Sequence, residues 1–229
     1  MRILIIENLK SDLIKSRIPL GDYFIQNGHD VYYACPNPEG SSIYNLDISR
    51  NSLSIFQLFK SVRQLRNIEA EIGPDVVLSF RLVPNIVSYF TNIFNRFPKR
   101  IFVITGLGVS FMNAKNKFFT RWIIKTFYRV ASSSGNILTQ NENDGIDLGL
   151  GAYTVIKGSG INVGKEISNT FSNEVRFLYA GRLLRSKGIL DAYNTFLYLK
   201  SKGIKSKFVI AGDIDSENSD SITEGELSL

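Results

Sequence analysis

The sequence predicts an α/β protein: a doubly wound, Rossmann-like parallel sheet followed by a truncated second Rossmann-like β-α-β unit. Three observations predict it. Short β-rich runs alternate with longer amphipathic stretches, the pattern that builds βαβ units. The strand candidates are close to continuously apolar, as strands covered on both faces must be. A polar, Gly/Ser/Asn-rich interval at 158–174 interrupts the alternation, which then restarts.

The elements follow in order. RILIIE (2–7) is an apolar run and the first strand. Residues 12–27 read as a helix that ends at Asn27-Gly28, since glycine suits the residue after a helix. VYYAC (31–35) is the second strand, closed by Pro36 and Pro38. A long helix follows, with Ser52 as its cap and Ile55, Phe56, Phe59, Val62, Leu65 and Ile68 at helical spacing. Gly73-Pro74 stops it before the strand DVVLSF (75–80). Pro84 opens a helix to about Phe94, RIFVIT (100–105) is a strand, and 114–131 is helical. NILTQ (136–140) and YTVIK (153–157) complete the first unit. VRFLYAG (175–181), a helix near 187–202 and KFVIAG (207–212) form the second. The expected organisation is a domain over 1–158, a linker over 159–174 and an incomplete domain over 175–229. Strand, helix and strand fall near the ~40-residue lower limit for unaided folding.

Composition narrows the class. Hydrophobic residues make up 44% and charged residues 21%, an ordinary globular balance. No apolar run reaches the ~18 residues of a membrane span, and the apolar start is too short for a signal peptide. The single cysteine, Cys35, excludes an internal disulfide framework and fits a reducing compartment. The expected location is the cytoplasm, peripheral on the inner face of the cell membrane. That expectation comes from charge. Residues 76–141 hold nine bases (Arg81, Arg96, Lys99, Arg100, Lys115, Lys117, Arg121, Lys125 and Arg129) and no acid, whereas six acids and no base follow from Asp213. Such a zone suits an anionic partner. Its segment 113–130 interleaves the bases with Phe118, Phe119, Trp122, Ile123, Ile124, Phe127 and Tyr128. Either this is a core helix with snorkelling bases or one face meets lipid headgroups, with Lys115, Lys117, Arg121, Trp122 and Lys125 facing the membrane. No RNA-binding motif accompanies it, so nucleic acid is not an expected partner.

Thr105-Gly106-Leu107-Gly108 follows a strand, and its glycines permit a tight turn and a close ligand approach. Position 111 is Phe, so the third glycine of a dinucleotide fingerprint is absent and NAD is not an expected cofactor. Gly158-Ser159-Gly160 ends a strand and either lines a cleft or supplies a hinge. The only histidine, His29, sits in the turn Asn27–Asp30 and reads as structural.

GRLLRSKGILDAYNTFLYLKSKG (181–203) and FVIAGDIDSENSDSI (208–222) resemble the opening of the second domain of family 4 glycosyltransferases. LDISRNSLSIFQLFKSVRQLRNIEAEIGPDVV (46–77), VITGLGVSF (103–111), TQNENDGIDLGL (139–150) and VIKGSGIN (155–162) are similar to its surface-polysaccharide members, those of capsule or O-antigen assembly, and fall in the same order. The resemblance implies a GT-B enzyme with two facing Rossmann-like domains. It would act with retention, without metal or other cofactor, moving sugar from a nucleotide-diphosphate sugar to a lipid-linked or growing glycan. It assigns Arg182, Lys187 and Gly181 to the donor diphosphate, and Gly106, Gly108, Gly160 and Arg17 to acceptor-side or cleft loops. Arg182 and Lys187 suit that role chemically: they follow a strand, where open α/β sheets bind ligands, and fixed cations stabilise a departing diphosphate. Catalytic residues are unassigned. Relatives carry histidine in the stretches matching Ser16–Pro19 and Phe80-Arg81, where this chain has none, and a late pair of glutamates falls beyond residue 229. The chain alone is therefore expected to be inactive or nearly so. The rival expectation is a non-catalytic remnant or peripheral membrane-binding module.

Overall fold

The computed structural model describes residues 1–38, 43–48, 54–92, 98–107, 117–133, 136–160, 174–215, 218 and 220–227. By its contacts the chain divides into Met1–Val163 and Gly164–Leu229.

The first unit is built on seven parallel strands: β1 (Arg2–Ile6), β2 (Asp30–Cys35), β3 (Ile43–Asn45), β4 (Val76–Phe80), β5 (Lys99–Ile104), β6 (Asn136–Thr139) and β7 (Thr154–Val155), in the order β3-β2-β1-β4-β5-β6-β7. This is a doubly wound α/β sheet, as the apolar runs required. Alternation along β1 feeds two cores. Leu4 and Ile6 pack with Leu65, Ile68 and Ile72, while Ile3 and Ile5 join Leu78, Phe80 and Val103 on the other face. Strand order reverses between β1 and β4. The loops leaving those strands diverge there and open a crevice at the carboxyl edge, where such folds hold ligands.

Among the described residues the helices of this unit are α1 (Ile18–Gln26), α2 (Ile55–Ile72), α3 (Leu82–Asn92), α4 (Lys117–Ala131) and α5 (Glu142–Leu148). α1 continues from Lys10–Asp12 through a π-helical turn, Leu13–Arg17, in which the Ile18 N–H bonds the Leu13 carbonyl. Such turns recur at functional sites, and no period in the sequence announces one. α2 starts after Ser54 at its cap position, and Ser52 lies outside the described residues. It ends on Gly73 at φ 59, the left-handed conformation that favours glycine, with the Arg2 guanidinium donating to the Ile72 carbonyl at 2.6 Å. A buried amide ties four elements together. Asn85 on α3 accepts from the Ser79 hydroxyl at 2.7 Å and donates to the Val103 carbonyl at 3.3 Å and the Tyr128 hydroxyl at 3.1 Å.

The second unit pairs β8 (Val175–Ala180) with β9 (Ser206–Ala211) in parallel, linked by a 3₁₀ turn (Arg185–Lys187) and α6 (Ile189–Ser201). Phe196 stacks against Phe208 at 5.5 Å and meets Phe177 edge-on at 6.4 Å. The acidic end of the chain is more than a tail. Ile222 is buried with Leu183 and Ile189, and α7 (Glu224–Leu227) follows.

Candidate functional site

The loops leaving β1, β4, β5, β6 and β7 line a pocket of about 550 Å³ in the first unit. Its floor is an ion network. Glu7, fully buried at the end of β1, receives the Arg17 Nε–H at 3.0 Å on one carboxylate oxygen. Its other oxygen accepts the Asn8 backbone N–H at 3.0 Å and lies 3.2 Å from Arg81 Nε as an ion pair. Arg81 also pairs with Asp12. The Arg17 guanidinium lies 3.8 Å over the Phe80 ring and donates to Ser159 Oγ at 2.7 Å, where Gln140 Nε2 also donates at 3.0 Å. Burial holds the Arg17 pKa below its ordinary value, and the charge and hydrogen bond of Glu7 offset only part of that lowering. Arg81 holds φ 74, a conformation costly for a side-chain-bearing residue, fixed by its N–H to the Val103 carbonyl at 3.0 Å.

The structure thus brings Arg17 and Gly160 into one pocket with Thr105, and leaves Gly106 just beyond it at φ 134 with open space around it. Gly108 and Lys115 lie outside the described residues. Glu7, Asp12, Arg81, Gln140 and Lys157 carry the site without having been singled out for it, and Ser159 brings the Gly158–Gly160 turn in as cleft lining. One signal could have found them: each stands just past, or within a few residues of, a strand's carboxyl end. His29 stands at the opposite edge, in the turn before β2, packed 6.3 Å from Phe24.

The acid-free zone is acid-free only along the sequence. Arg100 is buried and bidentate to Glu69 at 2.6 and 2.9 Å, and Arg81 is matched by Glu7 and Asp12. The fold thereby buries Arg100 and pairs Arg81 with acids at the pocket, so these two of the nine bases are matched by carboxylates. α4 divides its apolar residues. Ile124, Tyr128 and Ala131 enter the core, whereas Phe118, Phe119, Trp122 and Ile123 remain 86%, 64%, 56% and 45% exposed. Phe119 and Trp122 stack at 6.3 Å, and Arg121 and Lys125 are half-buried beside them. Lys117 opens this helix.

In the second unit Gly181 ends β8 at φ 154, with its N–H on the Ala211 carbonyl at 3.0 Å. A Cβ on Gly212 would overlap the Gly181 carbonyl, 3.0 Å from its carbon, so glycine is required there for two strand ends to meet. Arg182 is exposed, with a long 3.5 Å contact to Asp215. Lys187 is exposed in the 3₁₀ turn and has no ion partner among the described residues. Between them, Arg185 Nη2 donates to both Glu226 carboxylate oxygens at 2.8 and 2.7 Å and Asp220 accepts the Ser186 N–H at 3.1 Å, so the acidic segment anchors this turn.

No protein-family model and no curated protein matches the sequence. Solved structures do match the fold. Sucrose-phosphate synthase from Thermosynechococcus elongatus aligns over 96% of this chain with TM-score 0.66 and 17% identity. UDP-GlcNAc 2-epimerase from Neisseria meningitidis, solved with UDP-GlcNAc, aligns over 95% with TM-score 0.59 and 11% identity. A glycosyltransferase from Rickettsia africae aligns over 96% with TM-score 0.56 and 15% identity. The chain spans 64%, 67% and 69% of those three chains respectively. At such identities the likeness speaks for architecture: a Rossmann-like α/β chain of the GT-B type.

Proposed function

We propose that the chain serves sugar transfer from a nucleotide-diphosphate sugar to a lipid-linked or growing glycan, with retention at the anomeric carbon. The observation that carries this reading is the turn after β8. Arg182 and Lys187 project there at a strand's carboxyl end with little or no ionic satisfaction, in a fold shared with a protein solved with UDP-GlcNAc. Arg182 offers a planar fork to diphosphate oxygens and Lys187 a point charge. Gly181, lacking a side chain, lets phosphate approach the backbone. Both cations oppose the charge that grows on the leaving diphosphate. The first-unit pocket, with Arg17 and Gly160 and with Gly106 just beyond it, takes the acceptor. No histidine stands there to act as base, and Asp12 is engaged by Arg81. On the mechanism that the family resemblance implies, a phosphate oxygen of the departing group takes the acceptor proton on the same face.

The exposed aromatic stripe of α4 supports a peripheral site on an anionic membrane, where a lipid-linked acceptor resides. Phe118, Phe119 and Trp122 would sit among headgroups while the half-buried Lys125 reaches lipid phosphates. The donor assignment is tested by titrating nucleoside diphosphates into the chain and its Arg182→Ala and Lys187→Ala variants. Each variant should bind about tenfold or more weakly, as loss of a charge-assisted hydrogen bond dictates. Unchanged affinity in both would contradict the assignment.

A further inference from the structure

The pocket of the first unit has a charge pattern that a neutral sugar does not need. Its lining carries Arg17, Arg81 and Lys157 against a single carboxylate, Asp12, which Arg81 already occupies. Glu7 is fully buried and spends both oxygens on Arg17, Arg81 and the Asn8 N–H, so it fixes the guanidiniums without itself facing the ligand. Arg17 is held on three sides, by Glu7, by the Phe80 ring at 3.8 Å and by Ser159. Ser159 Oγ accepts from both Arg17 and Gln140, groups that can only donate there, so its own O–H remains to donate elsewhere. Lys157 is exposed and has no ion partner among the described residues. Arg81 keeps a strained backbone, φ 74, at this point of the fold.

We infer that this pocket is an anion subsite that binds the phosphate of a phosphorylated acceptor. The inference rests on the reading of the pocket as the acceptor side and deepens it. Rigid guanidiniums, a free ammonium and a hydroxyl donor together match the oxygens of a phosphate ester or diphosphate. The volume, about 550 Å³, leaves room for a sugar ring beside it. Two sources present this chemistry: a water-soluble sugar phosphate and the diphosphate of a lipid carrier.

The test is calorimetric titration of the full chain with a hexose 6-phosphate in water and with a short-chain prenyl diphosphate in detergent micelles. The free hexose is the uncharged control. Lys157 is exposed and its side chain makes no hydrogen bond or ion pair among the described residues, so Lys157→Ala should fold normally and weaken the phosphate ligand about tenfold. Lys157→Glu should abolish binding, and raised salt should weaken it. Whichever ligand binds more tightly identifies the source, and either result supports the subsite. Binding of the free hexose as tight as that of its phosphate would overturn it, as would no binding of either phosphate or an unchanged affinity in Lys157→Ala. Arg182→Ala separates the two readings. It should leave the phosphate ligand untouched while weakening nucleoside diphosphate. If Arg182→Ala rather than Lys157→Ala removed the phosphate ligand, the anion subsite would fall and the donor assignment would stand.

Discussion

Replacing Glu7 by Gln removes one negative charge and almost no volume. In the wild type that carboxylate is fully buried and balances Arg17, whose side chain is 4% exposed, and Arg81, at 29%. Breaking a buried pair by deleting one partner costs about 3 to 5 kcal/mol, because the remaining charge keeps its desolvation penalty. Glutamine retains an oxygen for the Asn8 N–H, so the lower figure applies. For a unit of this size each kcal/mol moves Tm by about 2 to 4 °C, which predicts a fall of about 6 to 12 °C. Trp122 is the only tryptophan and belongs to the first unit, so its fluorescence isolates that unit's melting. The double variant Glu7→Gln/Arg17→Met should recover part of the loss, since it removes the uncompensated guanidinium. A Tm within about 1 °C of wild type, or a double variant that merely sums the single losses, would refute the view that Glu7 is the electrostatic anchor of the pocket.

Gly212→Ala should cost the second unit about 3 kcal/mol, because the new Cβ meets Gly181 backbone that is itself held by hydrogen bonding. Hydrogen exchange should then rise across β8 and β9 with Trp122 unaffected, and unchanged protection would contradict the close approach. Burial and the charge of Asp22 push the Tyr33 hydroxyl up to about 12. The folded chain therefore keeps a proton that the unfolded chain releases from about pH 10 upward, so this contribution is complete below that pH and lost as pH climbs toward 12. Tyr33→Phe should flatten the fall of Tm over that interval, and an identical slope would count against it. Trp122 emission should shift to the blue with anionic vesicles at low salt and revert at high salt. Binding with an unchanged spectrum would leave only surface charge.

What the sequence disclosed follows from how local each signal is. β1, β2, β4, β5 and β6 are near-continuous apolar runs between turn residues, and they were legible for that reason. β3 is only Ile43–Asn45, too short to carry a period, and its place is set by pairing with β2. The strand expected over 153–157 reduces to Thr154–Val155 because only Leu138 and Thr139 of β6 are there to pair with it. The basic zone is only partly legible because neutralising acids arrive from far along the chain: Glu69 reaches Arg100 across 31 positions. Glu7 reads as the charged end of an apolar run. Only the reversal of strand order between β1 and β4 makes it the hub of a pocket. Arg17 was named through family resemblance, while the residues that hold it were not, since their proximity exists only in the fold.

The central claim is that the turn after β8 holds the diphosphate of a sugar nucleotide. Hydrogen–deuterium exchange of the full chain, with and without saturating nucleoside diphosphate, tests it directly. Gly181 through Ile189 should exchange more slowly in the presence of the nucleotide, and Arg182→Ala should raise the nucleotide concentration needed for that protection about tenfold while leaving the free chain's pattern intact. Protection confined to the pocket around Arg17 and Lys157, or none at the β8 turn, would contradict the account.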